Sequence, residues 1–139
     1  MIRFTLLGEP ASKANSRQIV TIAGRPSSIK SKKARNYEAD ARMQIPPAAR
    51  VRLEGPVRVT LRIWYASERP DLDESVVLDV LQDRHTKATG NGPRQLVQAG
   101  VYRNDRQVRE KHVYHAIDRK NPRVEVIVEP LQAQQAELL

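Results

Sequence analysis

The 139 residues include no cysteine. That excludes a disulfide framework, a thiolate metal site and a thiol nucleophile. Long apolar runs are lacking as well: none approaches the roughly 20 residues of a membrane span. The opening MIRFTLLG is too short and too polar for a secretory signal, so an intracellular protein is expected. Aromatic residues make up only 4% of the chain. Phe4, Tyr37, Trp64, Tyr65, Tyr102 and Tyr114 are scattered along it, which argues against a base-stacking platform for single strands. The length suits one domain able to bury a core without staples, and no internal repeat is visible.

Acidic residues are scarce in one place. Residues 1–50 hold ten Lys/Arg against three Asp/Glu, a net of +7, whereas residues 51–139 come to only +1. The excess is densest around KSKKAR. A basic region of this kind suits a polyanion such as nucleic acid; a solvated, solubilising face is the plain alternative.

Hydrophobic periodicity sets the expected elements. Ile2, Phe4 and Leu6 alternate with polar neighbours as in a strand. GEPASKANSRQIVTIAGRPSSIKS reads as a long loop with a short hairpin in its middle. Ala34, Tyr37, Ala41 and Ile45 are spaced for a helix from about Lys32 that Pro46-Pro47 ends. Residues 56–66 alternate most clearly, and a short helix follows to about Gln82, with Val76, Val77, Val80 and Leu81 on its apolar side. Residues 83–100, interrupted by GNGP, read as loop. Strands are expected near 108–116 and 124–128. The expected fold is α+β: a single domain, residues 1–130, with a mixed β-sheet and two helices in the order β-α-β-α-β-β, then a tail at 131–139.

The stretch RPDLDES at 69–75 places two carboxylates at a strand-to-helix junction. On one reading Asp71 is an N-cap and Glu74 closes a capping box. On the other, Asp71 and Asp73 lie two apart on an extended segment and present oxygens to one hard cation. Mg²⁺ is commonly held by one or two carboxylates plus substrate phosphate. Asp105 in GVYRNDRQV is the candidate third acid, a turn aspartate being the plain alternative. His112 and His115, three apart in a strand, face opposite sides, and with His85 they read as structural or surface residues.

With those residues in view, the chain resembles the RusA family of Holliday-junction resolvases, enzymes common in phages and prophages. The carriers are EPASKANSR (9–17), the strand before RPDLDES, the D-L-D itself, and GVYRNDRQV (100–108), in order over most of the chain. The resemblance implies a homodimeric, Mg²⁺-dependent endodeoxyribonuclease, with Mn²⁺ able to substitute, that nicks two opposed strands of a four-way DNA junction. Asp71, Asp73 and Asp105 would be the catalytic, metal-holding acids and Glu74 an additional ligand. It also implies a cytoplasmic setting, in a bacterium or encoded by its phage. Phosphate contacts are expected from Lys13, Arg17, Lys30, Lys32, Lys33, Arg35 and Arg69. If both motifs serve one metal, the Asp105 turn should lie beside the N-terminus of the second helix.

The chain departs from the family pattern at two positions. Where the family has asparagine and, four residues past the second aspartate, lysine, this chain has Glu74 and Val77. The next lysine, Lys87, is about 21 Å along an unbroken helix and cannot stand in; Lys13, Arg17 and Arg69 are the candidates for that role. The departure favours a rival on the same fold, a non-catalytic junction- or duplex-binding protein. A basic RNA-binding protein is the rival from another class.

Overall fold

The structure is a computed structural model that describes residues 1–68, 71–86 and 92–131. Arg69, Lys87, most of the Gly90–Gly92 turn and the tail beyond Leu131 lie outside the described residues.

The fold is α+β, a mixed four-stranded sheet with two helices. Its strands are β1 (Ile2–Leu7), β4 (Val57–Tyr65), β7 (Val108–Ile117) and β8 (Arg123–Pro130), in the order β1-β8-β4-β7. β8 pairs antiparallel with both β1 and β4, while β7 runs parallel to β4. Parallel neighbours need a crossover, and here it contains α2 (Ser75–Leu81). Helix α1 (Lys32–Gln44) starts at Ser31, whose hydroxyl accepts the Ala34 amide at 3.1 Å. It ends where Ile45 precedes Pro46.

Strict alternation makes β4 the centre of the core. Val57, Val59, Leu61, Ile63 and Tyr65 are all at most 1% exposed, each contributing about 2 kcal/mol by burial. Phe4, Leu6, Val124, Val126 and Val128 extend that face; Ala34, Tyr37 and Ala41 of α1 and Val76, Val77, Val80 and Leu81 of α2 complete the cluster.

Two hairpins interrupt this plan. β2 (Arg17–Ile22) and β3 (Arg25–Lys30) form the hairpin expected in the first loop. Its two-residue turn has Ala23 at φ 51° and Gly24 at φ 77°, the left-handed pair that matches strand twist. The segment expected to be loop at 83–100 instead contains β5 (Arg84–His85) paired with β6 (Leu96–Gln98). These strands are too short to show a period. Leu131, expected in the tail, is buried and its amide donates to the Pro56 carbonyl at 2.9 Å. Among the described residues no helix is long and apolar enough to cross a membrane.

Gly100 holds the second hairpin to α2. A Cβ there would lie 2.4 Å from the Gln82 carbonyl carbon and 2.5 Å from the Asp83 nitrogen. These are backbone atoms that cannot swing aside. Gly100→Ala is therefore expected to cost about 3 kcal/mol, read as a lower urea midpoint with unchanged m-value.

Candidate functional site

The D-L-D segment has no regular structure: residues 71–74 lie between β4 and α2, and Glu74 already has the helical backbone conformation, at φ −98° and ψ −3°. Asp71 is tied to the basic N-terminal loop. Its carbonyl accepts the Lys13 amide at 3.0 Å, and its Oδ2 accepts the Ala14 amide at 2.9 Å. Residues 57 positions apart are thereby joined, and the carboxylate is brought beside the exposed Lys13.

Helix capping differs from the expected box. Glu74 holds the N-cap position without a side-chain cap, and Asp73 just before it, rather than Asp71, ties down the helix start: its Oδ1 accepts the Ser75 amide at 3.0 Å and its Oδ2 the Ser75 hydroxyl at 2.9 Å. The Tyr65 hydroxyl reaches the Asp73 carbonyl at 3.4 Å. Glu74 closes no box; it pairs with Lys111 Nζ at 2.6 Å. A β-bulge explains why Lys111 is there. Val57 pairs with Val108 but Arg58 with Glu110, so Arg109 is the extra residue and the face of β7 changes. Without the bulge Lys111 would lie on the face opposite α2. With it, Lys111 shares the face of Val113 and Val59 and meets the junction. The hint in the sequence is a lysine two residues before an inward valine, but the bulge itself has no sequence signature here.

Asp105 opens a 3₁₀ turn, Asp105–Gln107, capped by the Asn104 side chain and closed by Gln107. Its amide donates to Gln82 Oε1 at 3.0 Å. Burial raises the pKa of the Tyr102 phenol well above its ordinary value, helped by the charges of Asp105 and Asp79. The Tyr102 hydroxyl bonds the Leu78 carbonyl at 2.7 Å. These contacts place the Asp105 turn against the C-terminal half of α2, which corrects the expectation that it sits beside the N-terminus. The reason is topological: β7 begins level with Val57, whereas the D-L-D segment leaves β4 beyond Tyr65.

Among the described residues no group of three or more His, Asp or Glu side chains is gathered to hold a metal. The donors of Asp71 and Asp73 are hard carboxylate oxygens, the kind Mg²⁺ takes in ones and twos together with substrate phosphate. Their chemistry suits such an ion, while the Asp105 turn packs along the C-terminal half of α2.

The expected phosphate contacts divide. Lys13, Lys32, Lys33 and Arg35 are exposed. Arg17 is exposed too, but its guanidinium bonds Ser28 across the hairpin at 2.9 and 3.3 Å. Lys30 is engaged inside the fold, 2.5 Å from Glu38 and 3.2 Å from Asp79. Burial pulls the Lys30 pKa down, but the two carboxylates more than offset it and the net shift is upward. It stays charged and ties β3 to α1 and α2 while remaining partly exposed. Arg69 lies outside the described residues. His112 and His115 face opposite sides, as their spacing requires; His112 bonds Glu110 at 2.7 Å. The one tryptophan, Trp64, has the Arg123 guanidinium 4.1 Å over its ring, so that face is covered.

No protein-family model matches the chain, and no curated protein matches it.

Proposed function

We propose that this chain is a structure-selective endodeoxyribonuclease of the RusA type that nicks four-way DNA junctions as a homodimer, with Mg²⁺ as its metal. The observation that supports this reading is the joint between Asp71 and the Lys13–Ala14 backbone. It sets a carboxylate pair and a free cation at one place, as phosphate chemistry requires. Asp71 and Asp73 would hold the ion, and Glu74 and Asp105 flank them on the junction and along α2. The bound ion would polarise the scissile phosphate and lower the pKa of its water. The protein's own part is positional. Ser75 and the Ala14 amide fix the rotamers of Asp73 and Asp71, and Lys13 faces the phosphate. Lys111 holds Glu74 back from it. Two symmetric nicks need two sites about a two-fold axis.

The separation of Asp105 from the pair favours a second reading, a junction-binding protein that does not cut. Incubating a labelled four-way junction with Mg²⁺ decides between them. Paired nicks that vanish with EDTA are expected; tight binding without nicks, in Mg²⁺ or Mn²⁺, would leave only the second reading. RNA binding with no preference for branched DNA would sink both.

The exposed start of α1 provides a binding test independent of cleavage. Lys32→Glu with Lys33→Glu should weaken junction binding and flatten its dependence on salt by about one unit of log–log slope per lost phosphate contact. An unchanged slope would show that this basic face is only solvated.

A further inference from the structure

A cleft of about 250 Å³ lies beside the C-terminal end of α2. Four arginines line it: Arg42, Arg84, Arg94 and Arg103. Among the described lining residues Asp83 is the one acid, and it is already neutralised. Its carboxylate takes Arg52 at 2.9 and 3.0 Å and the Gly100 amide at 2.8 Å.

The cleft is built, not a chance meeting of surface side chains. Asp83 anchors its floor, since its amide donates to the Tyr102 carbonyl at 3.1 Å and its side chain grips Gly100 from the returning strand. The β5–β6 hairpin rises from that floor, with Arg84 paired to Gln98 and Thr86 bonded to Gln95 in both directions. This places Arg84 and Arg94 on its two arms. Arg42 is held by Glu38 at 3.5 Å and by the Asp79 carbonyl at 3.1 Å, and Arg103 is held by Glu54. Arg84 and Arg94 are exposed and, among the described residues, have no ion-pair partner.

We infer that this cleft is a second phosphate-binding site, one that takes the phosphodiester backbone of nucleic acid through Arg84 and Arg94. Guanidinium groups match phosphate oxygens two at a time, which a lysine cannot do. Arg42 and Arg103, each offset by a carboxylate of its own, shape the wall without competing for the ligand, so the charge that meets it is that of Arg84 and Arg94. Such contacts set position and carry no sequence information. The site is separate from the D-L-D junction by the length of α2, seven residues or about 10 Å. One DNA backbone or two neighbouring arms can therefore meet both. Counting charge along the chain hides this site, because residues 51–139 are nearly neutral in sum; folding gathers the arginines and sequesters Asp83. The inference rests on the nucleic-acid reading above for the identity of the polyanion, and on no cleavage step.

The test is the full chain with Arg84→Ala and Arg94→Ala together, titrated by fluorescence anisotropy against a four-way junction at several salt concentrations. Both side chains are exposed, so the urea midpoint should not move. Junction affinity should fall about tenfold (about 1.4 kcal/mol), and the salt slope should drop by about two units, one per lost phosphate contact. The Arg84→Lys, Arg94→Lys pair should restore the slope but only part of the affinity. Wild-type affinity and slope in the alanine pair would overturn the inference while leaving the junction reading intact. A wild type that binds no DNA would overturn both. Calorimetry with inorganic phosphate separates the sources. If phosphate alone binds the wild type, is lost in the alanine pair, and DNA affinity is unmoved, the cleft takes the free anion and the nucleic-acid assignment fails.

Discussion

Val77→Lys is expected to unfold the domain. Val77 is 0% exposed and packs with Val76, Val80 and Leu81 beneath β4. A lysine at this position, one helical turn after Asp73, would ordinarily point toward a phosphate held at the junction. In this chain that face of α2 is turned into the core. The butyl stem and ammonium would be forced among the aliphatic side chains of Val76, Val80 and Leu81. Such burial costs several kcal/mol even after the group sheds its proton, and the volume change adds to it. Against a total stability of about 5–15 kcal/mol, a loss of about 5 kcal/mol leaves little or no folded protein at 37 °C. Circular dichroism melts and urea titration read this directly. A variant that keeps the wild-type midpoint and cuts junctions faster would show that residue 77 lines the site. The cation at the junction then has to come from outside α2. Lys111 on β7 reaches it through Glu74, and the Lys13 backbone is bonded to it, which makes these two the described lysines to test.

The Asp73→Asn variant should lose about 1,000-fold or more in nicking rate while folding normally and binding a junction as well as the wild type or better. The two halves of this expectation have different causes. Asp73 both caps α2 through Ser75 and supplies one of the two carboxylates proposed to hold the ion. Asparagine caps a helix about as well as aspartate, so the stability change should stay within about 0.5 kcal/mol. What the substitution removes is the charge: the anionic oxygen donor is gone, and with it the repulsion of DNA phosphate. Losing one preorganised electrostatic contact at a reacting phosphate typically costs 100- to 1,000-fold, and losing the metal costs more. Asp73→Ala should add about 1 kcal/mol of destabilisation from the lost cap. Single-turnover rates at saturating junction, beside anisotropy and urea melts, separate the terms. If the asparagine variant nicks at the wild-type rate, Asp73 is a cap and nothing more, and the proposed chemistry has to leave this junction.

Much of the scaffold was legible because it rests on period. The alternation of Val57 to Tyr65, the spacing of Ala34, Tyr37 and Ala41 with the Pro46-Pro47 stop, and the apolar set of the second helix all correspond to observed elements. The α+β class with two helices on a mixed sheet follows from them. The β5–β6 pair was not legible, since a two-residue and a three-residue strand have no period to detect. Its position depends on Gly100 lying against the end of α2.

The candidate site divides along the same line. The position of Asp71 and Asp73 on the link between a strand and a helix is a local property, and the sequence by itself determined it. Which of them caps, and which is tied to the basic loop, depends on a loop 57 residues away. Only the tertiary structure decided that Lys30 is drawn into the fold by Glu38 and Asp79, since the charge of a lysine does not reveal whether a carboxylate will be packed beside it. The parallel pairing of β7 with β4 carried Asp105 to the C-terminal half of α2, and one bulge at Arg109 turned Lys111 toward Glu74. Folding likewise gathered Arg84, Arg94 and Arg103, from a stretch whose charges nearly cancel along the chain, around one cleft with Arg42 of the basic first third. Local periodicity and turn chemistry act over a few residues and are written in order; strand register, bulges and charge convergence act across the sheet, and only the packed core sets them.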